Sequence, residues 1–307
     1  MRHAFGVNVE GDQSVPAGVG LTALAVAAAR AIESSRSDRL FDDPFAQDFF
    51  LFFAVRAQSR PESSNQASID LWTSMGDYVA LRTRFLDDFL FDSCQAGCRQ
   101  VVLLGAGLDA RAYRLSWPEG VRLFELDTDD VLSFKERVIS GRQASPRCQR
   151  VAIASDLRDD WPAILRRAGF DPQQPTAWLA EGLLRYLGAA ETVRLLERVT
   201  SLSAAASRLA VEYSGADALR DPEMIASLAE LDVAAAEDQS RLWGPGELDD
   251  DPEPWLASHG WQTSVHRIDE LAREHGRPVP PAFAAVRANQ GGIVVAEISS
   301  ADGAIVA

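Results

Sequence analysis

The residues best equipped for chemistry lie in three short motifs, each directly after an apolar run. The first is Leu104-Gly105-Ala106-Gly107-Leu108-Asp109-Ala110-Arg111, which closes the run Gln100-Val101-Val102-Leu103-Leu104. Glycines at such a turn let the backbone bend tightly and approach a ligand with no Cβ in the way. About twenty residues further on stand Glu125 and Asp127, where an acidic side chain can accept hydrogen bonds from ribose hydroxyls. The bland alternative is a plain strand-to-helix turn, with Asp127 capping the next helix. The second motif, Ser155-Asp156-Leu157-Arg158-Asp159, offers a carboxylate for an adenine amino group and a backbone N–H for a ring nitrogen. Asp156 is equally suited to cap a helix beginning near Arg158. The third is Ala180-Glu181-Gly182-Leu183-Leu184-Arg185-Tyr186-Leu187. Its Glu181 can accept from an α-ammonium group, or simply favour the start of a helix.

Each motif needs a strand end to hold it. Apolar runs at 100–104, 121–126, 151–154, 177–180 and 209–213 alternate with helical patterns at 128–140, 159–168 and 189–205. That alternation predicts a doubly wound α/β sheet, to which runs at 261–266 and 292–298 add two final strands. Roughly ninety residues of mainly helical pattern come first. Residues 19–32 have helical spacing, Asp43-Pro44 opens a second helix with Asp43 as N-cap and Pro44 at the first helical position, 57–66 read as a loop, and 67–92 as one or two more helices. The expected organisation is a mobile arm over 1–18, an N-terminal helical cap over 19–95 and a core over 96–300. An Asp/Pro/Gly-rich segment at 214–257 is inserted in that core as a lid.

Composition narrows the function classes. The chain has 307 residues and a net charge of −15, which repels a nucleic-acid backbone. No apolar stretch approaches the roughly eighteen residues of a membrane span, and no secretory signal is visible, so a soluble cytoplasmic protein is expected. The three cysteines and four histidines show no disulfide framework and no zinc spacing, so no metal is expected. Lys135 is the sole lysine, and any lysine-based catalyst would have to be that residue. Oligomeric state is left open.

In combination the motifs resemble the leucine carboxyl methyltransferase-like family of class I S-adenosylmethionine (SAM)-dependent methyltransferases, in its bacterial O-methyltransferase branch. The similarity runs from about Gly20 to Ile298. It includes Thr22-Ala23-Leu24, Ala28-Ala29-Arg30-Ala31, Asp38-Arg39-Leu40-Phe41-Asp42-Asp43-Pro44, Tyr78, Arg82-Thr83-Arg84 with Asp87, and the three motifs above together with Phe124-Glu125-Leu126-Asp127. The resemblance implies a Rossmann-like doubly wound seven-stranded sheet with an N-terminal helical cap, and SAM as cofactor. It further implies that Arg82 pairs with the SAM carboxylate, with Arg30 as its basic partner. Gly105, Ala106 and Gly107 would form the glycine turn, Asp127 the ribose acid, Asp156 and Leu157 the adenine pair, and Glu181 the acid at the methionine end. Arg84 competes for the role of Arg82, and a buried structural salt bridge competes with the cofactor role of Arg30.

The implied reaction is in-line methyl transfer to a carboxylate of a small molecule or natural-product intermediate. A carboxylate is anionic near neutral pH, so no general base is required and none is assigned. Tyr186 and Tyr213 are possible substrate contacts near the ends of the fourth and fifth strands, or aromatic packing there. The strip Phe49-Phe50-Leu51-Phe52-Phe53 can line the acceptor pocket, pack in the cap or face a partner. Two other readings stay open. One is an NAD(P)-dependent oxidoreductase: Gly105-x-Gly107-x-x-Ala110 with Asp127 fits a dinucleotide fingerprint, although Val131 stands where a Tyr-x-x-x-Lys pair would put its tyrosine. The other is a non-catalytic SAM-binding regulator.

Overall fold

The computed structural model describes residues 19–57, 66–214, 251–279 and 291–299. Strand β1 (Gln100–Leu104) is fully buried, and its side chains alternate between two apolar clusters. Val101 and Leu103 enter one, Val102 and Leu104 the other. Strand β4 (Thr176–Ala180) divides Ala177 and Leu179 from Trp178 and Ala180 in the same way. Because both faces are covered, these strands read as continuous apolar runs rather than alternating ones.

The remaining strands are β2 (Arg122–Asp127), β3 (Gln149–Ala154), β5 (Arg208–Ser214), β6 (Trp261–His266) and β7 (Gly291–Ile298). They form a seven-stranded sheet in the order β3-β2-β1-β4-β5-β7-β6. Pairings within β3-β2-β1-β4-β5 are parallel, whereas β7 runs antiparallel to both β5 and β6. The chain leaves β1 towards β2 and β3, then returns to place β4 on the other side of β1. That reversal opens a crevice at the carboxyl ends of β1 and β4, where open α/β sheets bind ligands.

On one face lie α1 (Val19–Ser34), α2 (Ala46–Ala57) and α3 (Gln66–Gln95), then α4 (Arg111–Arg114), α5 (Asp129–Ser140) and, after β6, α9 (Ile268–Glu274). They bury Leu24, Phe49, Leu86, Tyr113, Phe134 and Leu271 in one cluster with β1 and β4. The N-terminal helices therefore share the core of the sheet. On the opposite face α6 (Trp161–Arg167), α7 (Ala189–Ser201) and α8 (Glu253–Ser258) bury Trp161, Leu195 and Leu256.

Several expected boundaries move. Residues 67–92 belong to one 30-residue helix, α3. Regular helix begins at Ala46 rather than Pro44, yet Asp43 acts as the cap, its Oδ1 accepting from the N–H groups of Phe45 and Ala46 at 3.1 Å each. Helix α9 was not expected, because seven residues between two strands carry too little periodicity to announce themselves. The expected arm at 1–18, most of the loop at 57–66 and residues 215–250 of the expected lid lie outside the described residues.

Candidate functional site

At the β1–β2 end of the crevice the backbone is shaped by glycine. Gly105 and Gly107 adopt φ of +67° and +49°, in the left-handed region that L side chains avoid. A Cβ on Gly105 would lie 3.0 Å from Cδ1 of Leu183, so the turns after β1 and β4 pack closely there and the leucine side chain would have to give by a few tenths of an ångström. The N–H of Ala106 donates to the Leu126 carbonyl at 2.9 Å. Asp127, at the end of β2, accepts from the Gly107 N–H at 2.6 Å and the Thr128 N–H at 2.7 Å. Burial raises its pKa above the ordinary carboxylate value, with these two N–H groups pulling the other way.

The third strand brings Asp156 alongside, and Ser155 N–H donates to the Asp127 carbonyl at 2.8 Å. Asp156 folds its own loop: Oδ1 accepts from the Arg158 N–H at 2.9 Å, and the Arg158 guanidinium grips both oxygens. Helix α6 starts three residues later, at Trp161, so Asp156 closes a turn rather than capping that helix. The bond to Arg158 lowers the Asp156 pKa. Leu157 is half-buried and packs against the second cluster.

At the β4–β5 end the site is a chain of buried charges. Glu181, just past β4, lies between two arginines, with Arg82 Nε at 3.0 Å and Arg111 Nη1 at 2.7 Å. Arg82 comes from α3 and Arg111 from the first position of α4. Burial alone would raise the Glu181 pKa, but Arg111 and Arg82 hold it below the ordinary value. Arg111 also bonds Asp109 and, at 2.6 Å, Asp87 on α3. Asp87 in turn receives two 2.6 Å bonds from Arg114. Beyond Arg114 the chain reaches Asp43, and Arg30 completes it with Nε 3.2 Å from Asp43 and a 2.7 Å bond to the Leu108 carbonyl. Arg30 thus braces the glycine turn from α1. Arg84 faces elsewhere, pairing with Asp88 one helical turn on, with both side chains more than a third exposed.

Glu212 on β5 was not singled out from the sequence, yet it is 2% exposed and holds this end together. Both its oxygens lie 2.9 Å from Arg82 Nη1, and it accepts from the Gly182 N–H at 2.5 Å and from the Tyr78 hydroxyl. An acid directly after the apolar run Leu209-Ala210-Val211 was the available signal, since a buried carboxylate demands partners. Tyr186 is half-buried on a 3₁₀ turn (Leu184–Tyr186). Tyr213 is buried, its hydroxyl 3.4 Å from Asp251, and burial pushes its pKa up to about 12. Lys135 is fully buried and donates to Glu125 at 2.8 Å, which leaves it no route to a substrate. Among the described residues no group of His, Cys, Asp or Glu has the arrangement of a metal site, and no helix is long and apolar enough to cross a membrane.

Comparison with known proteins agrees with this architecture. Two solved structures share the fold: a DUF574 family protein from Streptomyces avermitilis, with a TM-score of 0.55 over 89% of this chain and 97% of its own, and a provisionally assigned methyltransferase from Thermobifida fusca, with 0.52 over 94% and 100%. They are 13% and 17% identical in sequence. Sequence relatives are nearer. A provisionally assigned S-adenosyl-L-methionine-dependent methyltransferase of Streptomyces avermitilis is 41% identical over 282 residues, covering 89% of this chain and 94% of its own. Another from Saccharopolyspora erythraea is 44% identical over 270 residues, covering 86% and 91%. Residues 23–200 match the family model for leucine carboxyl methyltransferases. With the match spanning more than half its length, the chain belongs to the leucine carboxyl methyltransferase family.

Proposed function

We propose that this protein is a SAM-dependent O-methyltransferase acting on a carboxylate of a small molecule. One observation carries the reading: the glycine turn, Asp127, Asp156 and the Arg82–Glu181–Arg111 cluster converge on the carboxyl ends of neighbouring strands. The relatives named as SAM-dependent methyltransferases support the same cofactor.

The residues present fit that cofactor. Arg82 Nε and Glu181 Oε1 are buried without a hydrogen-bond partner, although they lie 3.0 Å apart. One is a donor suited to a carboxylate and the other an acceptor suited to an ammonium, the two charges of an α-amino acid. Asp127 accepts one N–H on each oxygen and retains lone pairs for ribose hydroxyls. Arg82, Arg30, Gly105, Ala106, Gly107, Asp127, Asp156, Leu157 and Glu181 are the residues assigned to hold SAM, with Arg30 acting through the Leu108 carbonyl and Asp43. When bound, SAM supplies a methyl group activated by its sulfonium.

A carboxylate acceptor is anionic already, so the chain need only position an oxygen near that methyl and exclude water. Tyr213 carries its proton at neutral pH, as tyrosines do, and gives it to Asp251 in a hydrogen bond; it is proposed to contact such an acceptor by turning that hydroxyl from Asp251, not as a base. Tyr186, half-buried on the turn after Glu181, is the second proposed substrate contact.

Calorimetric titration with SAM, S-adenosylhomocysteine, NADH and NADPH tests the cofactor. Binding of the first pair alone is expected, and binding of a nicotinamide nucleotide instead would restore the oxidoreductase reading. Incubation with SAM and a panel of carboxylic acids then tests turnover. Methyl esters are expected, and SAM binding with no turnover on any carboxylate would point to a hydroxyl acceptor or to a non-catalytic regulator.

A further inference from the structure

Glu212 occupies a place that invites explanation. Strands β4 and β5 pair with Ala180 opposite Val211, so the next residue on each, Glu181 and Glu212, emerge side by side at the crevice. Two buried carboxylates placed together repel unless a cation lies between them. Arg82 stands between them, its Nη1 on both oxygens of Glu212 and its Nε beside Glu181. The grip on Nη1 fixes the rotation of the guanidinium and turns the Nε edge towards Glu181. Glu212 also accepts the N–H of Gly182, a residue with φ of +64°, and so fixes the backbone that carries Glu181. Its bond from Tyr78, together with Arg82, anchors both groups to α3.

We infer that Glu212 is the positioning residue for the amino-acid end of the cofactor site, aligning Arg82 and Glu181 for an α-carboxylate and α-ammonium while never touching the ligand. This rests on the SAM reading above. The nucleoside end is built from Asp127 and Asp156, whose hydrogen bonds do not involve Glu212. A loss of Glu212 should therefore be felt by the amino-acid part of the ligand alone.

The experiment compares SAM with 5′-methylthioadenosine, which lacks the amino-acid moiety, on wild type, Glu212→Gln and Tyr78→Phe. Glu212→Gln keeps the shape and an acceptor for Gly182 but removes the charge. It should weaken SAM by about tenfold or more, the equivalent of about 1.4 kcal/mol, and leave methylthioadenosine unchanged. Tyr78→Phe should show the same selectivity with a smaller loss. SAM affinity within about twofold of wild type, or equal losses for both ligands, would overturn the proposal. If Glu212→Gln fails to fold, Tyr78→Phe decides: a SAM-selective loss supports the assignment and no loss removes it. Wild type that binds neither ligand would sink the SAM reading itself, and the proposal with it.

Discussion

At the β4–β5 end of the crevice Arg82, Arg111, Glu181 and Glu212 are nearly enclosed, and each makes two or more charged contacts. At the β2–β3 end Asp127 and Asp156 are partly open and bond mainly to nearby backbone and, for Asp156, to Arg158. The first arrangement is paired in advance, so a zwitterionic group entering it meets dipoles that need little rearrangement. The second must adjust, because Arg158 covers the Asp156 oxygens that adenine is proposed to use. One end supplies a rigid frame for charge, the other an adaptable seat for the nucleoside.

The contrast can be broken most severely at Arg111. Arg111→Ala strips the counter-charge from Asp87, Asp109 and Glu181, and should cost roughly 3–5 kcal/mol in urea unfolding, as for other broken buried pairs. A loss under about 1 kcal/mol, the scale of exposed pairs, would erase the energetic difference between the two ends.

Asp127→Ala should act on binding instead. It frees the Gly107 and Thr128 N–H groups and is expected to weaken SAM by about 10- to 100-fold, or about 1.4–2.7 kcal/mol, with the fold retained. Unchanged affinity would remove Asp127 from the ribose role.

Acid titration separates the ends by sign. Asp109 has its pKa lowered to about 2: burial opposes ionisation, but Arg111 foremost among nearby cations outweighs it. A depressed folded pKa stabilises above the ordinary value near 4, and that contribution disappears as pH falls towards 2. The stability gap between wild type and Asp109→Asn should therefore shrink as pH drops from about 4 to about 2. Asp127, with its pKa raised by burial, has the opposite slope, and its ionisation weakens the fold as pH rises through the raised value. A gap for Asp109→Asn that widens in acid would contradict this assignment.

The smallest effect is expected at Arg158, whose side chain is 53% exposed. Arg158→Ala should change stability by no more than about 0.5 kcal/mol and tighten adenosine binding by up to about fivefold, by releasing Asp156. Weaker adenosine binding would make Arg158 a contact of the nucleoside rather than its competitor.

Much of this was legible in the chain. The strands β1 and β4 announced themselves as apolar runs, and the glycine turn with Asp127 followed from local spacing. The cap of α2 was readable at Asp43, though its carboxylate also serves Arg30, which no local rule foretells. Glu212 was hidden within a strand whose neighbours are apolar, and Arg111 within a motif read for its glycines. The rival roles weighed for Arg82 and Arg84 differ only in which face of α3 meets the strand ends.

The sequence by itself determined the alternation of strands and helices, the glycine turn and the order of the acids along the crevice, because periodicity and turn chemistry act over a few residues. Only the tertiary structure decided which charges meet. Arg111 finds Asp87 across 24 residues and Arg82 finds Glu212 across 130. Such pairings depend on how α3 crosses the ends of β4 and β5, and burial then makes each partner obligatory.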